Sequence, residues 1–180
     1  MQKENRPIQK TELRKLFLVL RGGIPKQRRE EASFSLAAFL QNRGRILSFY
    51  SIGSEIDLAP LNAILAQAGR LMANRVEHGN LVPYHVSADQ ELILSPFGIP
   101  EPDPAKARKA ALSEIDLILV PGLAFDSQKY RLGYGKGHYD KLLSQIGDIP
   151  TLGVGFQEQL SVDPLPRDPW DLPVEELMLV

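Results

Sequence analysis

Residues 115–120 read IDLILV and residues 121–143 read PGLAFDSQKYRLGYGKGHYDKLL, and these two adjoining segments decide the fold class. The first segment is apolar on both faces, which is typical of a central strand in a parallel sheet. Pro121 and Gly122 end that strand, and apolar residues at helical spacing indicate a helix from about His138. A strand, a loop and a helix in succession predict one unit of an α/β sheet.

Strands and helices alternate along the rest of the chain. The patterns predict helices over residues 10–21, 25–43 and 58–69, and strands over residues 45–50, 80–86, 151–156 and 175–180. We therefore predict a single α/β domain over residues 1–180, with a mainly parallel sheet flanked by helices, as in a Rossmann-like three-layer sandwich. Ligands in such sheets lie beyond the carboxyl ends of the strands, so the loop after Val120 is expected at the binding edge.

Three local expectations can be compared directly with the structure. In the first helix the spacing of Leu13, Leu16, Phe17 and Leu20 predicts one buried face. Pro83 is expected to break the strand over residues 80–86. Residues 95–104, SPFGIPEPDP, are rich in proline and are predicted to form a crossover loop without regular structure.

Composition excludes several classes of protein. The chain has 21 Lys and Arg and 22 Asp and Glu, a net charge of -1, so no basic field points to nucleic acid or to an acidic membrane. The absence of cysteine excludes disulfides, thiol nucleophiles and cysteine zinc sites. No apolar run approaches the ~20 residues of a membrane helix. We expect a cytoplasmic monomer that binds small molecules and neither nucleic acid nor a membrane.

Three alternating glycines, Gly133, Gly135 and Gly137, precede the helix that begins near His138. The loop is not a P-loop, because Lys136 is followed by glycine rather than Ser or Thr, and it is not G-x-G-x-x-G, because position 138 is His. It is either a phosphate-binding loop, whose N–H groups turn toward one point, or a mobile turn before a helix. The neighbouring charged residues favour phosphate binding.

Charged residues near this loop and on the first helix each allow two interpretations. Asp140, in the first turn of its helix, is either a carboxylate that interacts with the helix dipole or a Mg²⁺ ligand beside a phosphate. Lys10, Arg14 and Arg21 lie within ~40° on the first helix, as a solvated basic edge or as a phosphate clamp.

Tyr50 and Glu55 follow the first predicted strand in the segment YSIGSEID. Tyr50 could stack on a flat ring and Glu55 could accept hydrogen bonds from the polar edge of that ring. Polar residues such as these are also common in loops that follow strands, so on their own Tyr50 and Glu55 are a weak indication of a binding site.

The stretch from Pro121 to Asp140 follows the pattern P-G-x-A-F-D and then R-L-G-x-G-x-G-x-Y-D. Further matching segments are KTELR at 10–14, YSIGSEI at 50–56, FGIPEP at 97–102 and DLPVEEL at 171–177. Together they resemble the 5-formyltetrahydrofolate cyclo-ligase family, also called 5,10-methenyltetrahydrofolate synthetases, over nearly the whole chain. The resemblance implies that ATP drives cyclisation of 5-formyltetrahydrofolate, with or without a polyglutamate tail, to 5,10-methenyltetrahydrofolate with release of ADP and phosphate.

The resemblance also implies a set of site residues. Lys136 and Arg131 would be catalytic, and Asp140 and Asp171 would be ligands of Mg²⁺, the metal cofactor. ATP, a substrate, would contact Lys10, Thr11, Glu12, Leu13, Arg14, Arg131, Leu132, Gly133, Tyr134, Gly135, Lys136, Gly137, His138 and Tyr139. The folate would contact Tyr50, Glu55, Tyr134, Gly135, Lys136, Gly137 and His138.

The chain departs from the family pattern at three positions. Lys129 stands where the family commonly has glycine, so the loop turns differently there or Lys129 adopts a positive φ. His138 stands where Tyr is common, which puts an aromatic contact at that position in doubt, and Tyr134 occupies a variable position. The alternative functions are a phosphosugar isomerase or acyl-CoA transferase-like enzyme that does not use ATP, and a nucleotide-binding module without turnover.

Overall fold

The computed structural model describes residues 9–180. Its helices are α1 (Lys10–Gly22), α2 (Lys26–Leu40), α3 (Ala59–Gln67) and α4 (His138–Leu143). Its strands are β1 (Ile46–Ser48), β2 (Leu71–Glu77), β3 (Asn80–His85), β4 (Leu92–Leu94), β5 (Pro100–Pro102), β6 (Leu117–Val120), β7 (Ala124–Phe125), β8 (Arg131–Leu132), β9 (Thr151–Gly155) and β10 (Glu176–Leu179).

Six strands form one sheet in the order β10-β9-β6-β1-β2-β3. All neighbouring pairs are parallel except β2 and β3, which form an antiparallel hairpin at one edge. Strands β4 and β5 form a separate two-stranded pair, and so do β7 and β8. The predicted α/β fold with a mainly parallel sheet is confirmed, and β6 lies inside the sheet as its sequence predicts.

Alternate residues of the central strands face two different cores, because successive side chains of a strand point to opposite faces. In β6, Leu117 and Leu119 join a core formed with α2 and α3. Ile118 and Val120 join the second core, which contains Leu142 of α4. The sheet is therefore covered on both faces, as the three-layer prediction requires.

Helix α1 packs on a third, smaller core rather than on a face of the sheet. Phe17 is buried there beside Leu123, Leu132 and Leu165. The predicted buried face is wrong in part, because Leu16 and Leu20 are 51% and 44% exposed. The helix packs on the small β7–β8 hairpin, which is too narrow to cover a full apolar stripe.

The hairpin of β2 and β3 corrects two expectations from the sequence. Strand β2 was not predicted, because its second half, NRVE, is polar and shows no apolar run. Pro83 does not break β3, whose ladder with β2 runs from Asn80 to His85. β3 lies at the edge of the sheet, where a missing backbone donor is tolerated.

The segment 95–104 is also more regular than predicted, because Pro100–Pro102 pairs with Leu92–Leu94. A proline at each end of β5 limits the strand to three residues. None of the described helices is long and apolar enough to cross a membrane.

The turn between β7 and β8 places Lys129 in the left-handed region, with φ +65°. Of the two alternatives for this departure from glycine, a different turn or a positive φ, the structure shows the positive φ. The turn is held by the Lys129 N–H donating to the Asp126 carbonyl at 2.9 Å and by the Val174 N–H donating to the Lys129 carbonyl at 3.0 Å. The left-handed conformation costs a side chain other than glycine about 1–2 kcal/mol.

Lys129→Gly is expected to stabilise the protein, because the relief of strain exceeds the roughly 0.5–1 kcal/mol of extra flexibility that glycine brings to the unfolded chain. The expected net gain is about 0.5–1 kcal/mol, a rise of roughly 1–4 °C in the midpoint of thermal unfolding. The matched control is Ser127→Gly in the same turn, which has no positive φ to relieve and should lower the midpoint. Equal shifts of both variants would contradict the argument from strain.

Candidate active site

The glycine loop lies between β8 and α4, beyond the carboxyl end of β6, where an α/β sheet normally binds its ligand. Arg14 of α1 reaches this loop and donates from Nε to the Gly133 carbonyl at 2.9 Å. Gly135 has φ +97°, and a Cβ there would lie 3.4 Å from the Arg14 guanidinium carbon. Glycine at 135 thus allows the positive φ, while the space beside Arg14 would itself accept a Cβ in ordinary van der Waals contact.

Lys10, at the start of α1, meets two carboxylates from the C-terminal segment. Its Nζ lies 2.6 Å from Asp168 Oδ2 and 2.5 Å from Asp171 Oδ2. Partial burial lowers the pKa of Lys10, but the hydrogen bonds to these carboxylates outweigh it and the pKa is raised overall. Lys10, the predicted phosphate contact, and Asp171, the predicted metal ligand, therefore form an ion pair with each other.

Asp126, in the P-G-x-A-F-D segment, explains how the C-terminal segment comes to lie there. Its carboxylate is fully buried, and Oδ1 accepts hydrogen bonds from the N–H groups of Gln128 and Tyr130 within its own turn. Oδ2 accepts from the Leu165 N–H at 3.0 Å and from Arg167 at 3.1 Å. One side chain therefore fixes the β7–β8 turn and holds the segment that leads to Asp168.

Arg131 and Asp140 form the second ion pair of the site. Arg131 Nη2 donates to Asp140 Oδ1 at 2.6 Å, and the Arg131 side chain is 5% exposed. Its guanidinium carbon lies 5.5 Å from the centre of the Tyr139 ring. Burial and then the charge of Glu55 raise the pKa of Tyr139, so its phenol is neutral at physiological pH.

The residues present fit a Mg²⁺ ion held together with a polyphosphate. Among residues 9–180 no three acidic or histidine side chains converge to form a complete metal site. Burial raises the pKa of Asp171, but the Asp168 N–H, Lys10 and, least of all, Arg131 lower it overall, and Arg131 also pairs with Asp140. Two carboxylates suit Mg²⁺, which takes one or two from protein and completes its shell with phosphate oxygens and water.

Glu55 is 6% exposed and lies at the junction of α1, the loop after β1 and the glycine loop. Its Oε2 accepts from the Ile52 N–H at 2.8 Å, and its Oε1 lies 3.6 Å from Arg21 Nη1. Burial raises the pKa of Glu55, although the Ile52 N–H, Arg21 and the Tyr134 hydroxyl oppose the rise. Arg21 therefore belongs neither to a solvated edge nor to a phosphate clamp, since it is 1% exposed and faces inward.

Tyr50, the other predicted folate residue of this loop, packs against the core beneath α2 and α3. Burial, followed by the charge of Asp89, raises its pKa to about 12. Tyr50 and Glu55 therefore follow the same strand but contact different surroundings.

The remaining residues of the glycine loop are held from two neighbouring hairpins. Lys136 Nζ lies 4.3 Å from the centre of the Phe97 ring, in the turn between β4 and β5. His138 Nδ1 lies 3.1 Å from the Gly79 carbonyl, in the turn between β2 and β3. His138 thus has a polar partner at the position where an aromatic contact was in doubt.

Two residues of the predicted ATP set, Leu13 and Leu132, direct their side chains into the protein core. Leu132 is buried, and both Leu132 and Leu13 pack in the core beneath α1. Thr11 and Glu12 are exposed on the same helix. Any contact that Leu132 makes with a nucleotide must come from its backbone.

Three residues of the site were not predicted. Asp168 pairs with Lys10, and its three-residue spacing from Asp171 was the available signal. Phe97 lies beneath Lys136, in a segment that the sequence connects to the site only through the family pattern. The Asn74 amide of β2 is buried beside Tyr139, and nothing in the sequence singles it out.

The sequence and the fold were compared with those of known proteins to identify the family of this chain. The sequence profile of the 5-formyltetrahydrofolate cyclo-ligase family matches residues 6–180. This chain belongs to that family. The resemblance recognised in the sequence is thereby confirmed over nearly the full chain.

Individual members of the family match large parts of the chain. The 5-formyltetrahydrofolate cyclo-ligase of Escherichia coli (strain K12) is 33% identical over 131 residues, which cover 70% of this chain and 72% of the relative. The protein of the same name from Mycolicibacterium smegmatis is 28% identical over 182 residues, or 96% of this chain and 94% of the relative.

Solved structures carry the same fold. The NMR structure of Aquifex aeolicus 5,10-methenyltetrahydrofolate synthetase is 33% identical, superposes with a TM-score of 0.82, and the match covers 94% of this chain and 89% of that chain. The 5,10-methenyltetrahydrofolate synthetase from Mycoplasma pneumoniae superposes with a TM-score of 0.74 over 94% of this chain and 98% of that chain. At 20% identity, the second comparison supports the fold alone.

Gly135→Ala is expected to weaken ATP binding about five- to thirtyfold. The methyl group imposes about 1–2 kcal/mol of backbone strain at φ +97°, so the loop moves away from the position that Arg14 holds. Isothermal titration calorimetry with ATP measures the effect.

The matched control is Gly147→Ala beyond α4, where φ is +61° and a Cβ meets nothing within 4 Å. It carries similar strain and should lower stability without changing the affinity for ATP. Equal affinity of both variants for ATP would contradict a role of Gly135 in the site.

Proposed function

We propose that the protein uses ATP to cyclise 5-formyltetrahydrofolate to 5,10-methenyltetrahydrofolate, releasing ADP and phosphate. The observation that carries the proposal is family membership over residues 6–180 together with a cluster of cations around the glycine loop. We also propose that the described elements act as one catalytic domain, in a monomeric cytoplasmic protein that binds folates with or without a polyglutamate tail.

The phosphate end of the site is built from Lys10 and Arg14 of α1 and from Arg131 and Lys136 around the glycine loop. Lys136 is exposed, lies over the Phe97 ring and forms no ion pair with any residue of the described range 9–180. It can therefore move to a phosphate without breaking an ion pair. Lys10 and Arg131 each have carboxylate partners, which the phosphates would replace or share. Lys136 is therefore the cation best suited to follow the phosphoryl group during transfer.

The folate end is built from Glu55, Tyr134 and the loop after β1. An ionised Glu55 can accept hydrogen bonds from the N–H groups of a pterin ring, and the Tyr134 ring is 43% exposed and can contact the ring system. The glycine loop borders both ends, since Arg14 contacts Gly133 while Arg21 contacts Tyr134 in the next position. The two substrates would therefore meet along this loop.

The reaction follows from the poor reactivity of the formyl group, which is an amide. The formyl oxygen attacks the γ-phosphorus of ATP, the bond to the β-phosphate oxygen breaks, and ADP leaves. Nitrogen N10 then attacks the formyl carbon, loses its proton to solvent, and inorganic phosphate departs as the five-membered ring closes with its C–N double bond. Phosphoryl transfer of this kind depends on positioning and charge neutralisation, which Lys136 and Arg131 would supply.

Mg²⁺ bound by Asp140 and Asp171 would neutralise phosphate charge in the same place. Asp140 is already oriented by Arg131, and Asp171 is held by Lys10 and by the Asp168 N–H at 2.8 Å. These contacts keep both carboxylates near the loop before any ligand arrives.

The alternative functions are not favoured. A phosphosugar isomerase binds a single phosphate, which needs fewer cations than the four gathered here, and membership of a ligase family argues against an acyl-CoA transferase. Family membership also points to a ligase rather than to a module without turnover.

The proposal predicts that the protein with 5-formyltetrahydrofolate, Mg²⁺ and ATP produces the near-ultraviolet absorbance of methenyltetrahydrofolate, with one ADP and one phosphate formed per product. A nonhydrolysable ATP analogue is the control and should give no rise. Absence of an ATP-dependent absorbance rise would overturn the proposed function.

Asp140→Asn is expected to raise the Mg²⁺ concentration for half-maximal rate about tenfold or more, because the amide keeps the shape of the ligand but not its charge. The rate is measured by the same absorbance assay over a Mg²⁺ titration at saturating ATP. Asp148→Asn, an exposed carboxylate beyond α4, is the matched control. If both variants titrate as the unsubstituted protein does, Asp140 serves only its ion pair with Arg131.

A further inference from the structure

Arg21 is a fully buried arginine near the end of α1, with 1% of its surface exposed. A buried guanidinium is costly unless each of its donors has a partner. Nothing in the proposed reaction uses this charge, since Lys10, Arg14, Arg131 and Lys136 already serve the phosphates. The buried charge of Arg21 must therefore have another role in the protein.

The guanidinium binds three separate loops at once. Its Nε donates to Ser54 Oγ at 3.1 Å, in the loop after β1, and Nη1 donates to the Gly122 carbonyl at 3.3 Å, just after β6. Its Nη2 donates to the hydroxyl of Tyr134 in the glycine loop. These partners lie 33, 101 and 113 residues from Arg21 along the chain.

Glu55 completes the arrangement, with Oε1 3.6 Å from Arg21 Nη1. Because Arg21 donates to the Tyr134 oxygen, the phenol keeps its own proton available for the Glu55 carboxylate. Burial and then the charge of Glu55 raise the pKa of Tyr134, which keeps that proton in place. Arg21 therefore holds Glu55 by a direct ion pair and holds the Tyr134 hydroxyl by a hydrogen bond of its own.

We propose that Arg21 is a positioning residue for the folate end of the site, which holds the Glu55 carboxylate and the Tyr134 hydroxyl in their binding geometry without touching either substrate. The proposal rests on the proposed function, because it assumes that Glu55 and Tyr134 bind the folate. The proposal adds a second role for α1. Its last turn, with Arg21, would position the groups that bind the folate, while its first turn, with Lys10, would bind phosphate.

The electrostatics support this role. The groups that face Glu55 are Arg21 from α1, Tyr134 from the glycine loop and Tyr139 from α4, and of these only Arg21 is a cation. Burial raises the pKa of Glu55 and Arg21 opposes that rise. Removal of the guanidinium should therefore raise the pKa of Glu55 further, and the carboxylate would be protonated at a higher pH than in the unsubstituted protein.

The test compares Arg21→Gln and Arg21→Lys in the absorbance assay, with KM for each substrate and kcat measured across pH. Arg21→Gln should raise KM for 5-formyltetrahydrofolate about tenfold or more, the usual effect of losing hydrogen bonds to a charged group, and change KM for ATP less than about twofold. The acidic limb of 1/KM for the folate should move to higher pH.

Arg21→Lys separates charge from geometry. A lysine ammonium keeps the charge and so should restore the acidic limb, but it lacks the planar fork that reaches Gly122 and Tyr134 together. KM for the folate should therefore stay raised at high pH. Arg28→Gln is the matched control, since Arg28 of α2 pairs with Glu158 at the surface and should leave both KM values unchanged.

Circular dichroism and thermal unfolding establish first that each variant folds. If neither Arg21 variant folds, Tyr134→Phe carries the test: it removes one partner of Arg21 and should raise KM for the folate, and an unchanged KM would overturn the proposal. Folded Arg21 variants with an unchanged folate KM and acidic limb would overturn it while leaving the proposed function intact. Absence of turnover by the unsubstituted protein would instead overturn the proposed function and this proposal with it.

Discussion

The packing of α1 on the β7–β8 hairpin is the contact on which the rest of the site depends. Phe17 inserts between Leu123, Leu132 and Leu165, and its burial contributes roughly 1.5–3 kcal/mol. Helix α1 packs on this separate small core rather than on either of the two cores that cover the sheet, and its successive turns contact different parts of the site. Lys10 meets the C-terminal segment, Arg14 the glycine loop and Arg21 the loop after β1.

Most of the charges of the site are paired within the protein. Lys10 pairs with two carboxylates, Arg131 pairs with Asp140, and Arg21 lies against Glu55. A chain with a net charge of -1 can in this way keep a cluster of cations for a polyphosphate without a strong repulsive field. Binding of a polyanion then requires exchange of partners, and a metal ion on the released carboxylates would compensate the exchange.

Elements whose structure depends on neighbouring residues in the sequence could be predicted from sequence patterns. The strand predicted over residues 115–120, observed over 117–120, and the helix after the glycine loop both follow from residues adjacent in the sequence, whereas the positive φ of Lys129 was one of two alternatives that came from the family pattern. Strand β2 was missed because half of it is polar, and its pairing with β3 rather than its own pattern makes it a strand. The burial of Arg21 depends on partners as far as 113 residues away, and no periodicity can report such a contact. The family resemblance supplied Asp171, which spacing alone does not connect to the glycine loop.

The signature aspartate Asp126 shows why a motif can be specific without touching a ligand. Its carboxylate is fully buried and divides its oxygens between its own turn and the segment at Leu165 and Arg167. Arg167 also lies over the ring of Tyr130, 3.7 Å from its centre, so the turn and the segment are joined by a second contact. These contacts fix the path of the chain after Arg167, so that Asp168 and Asp171 lie next to Lys10. The aspartate of the motif therefore determines the position of a proposed metal ligand in another segment, and a substitution there would reach the site through the backbone.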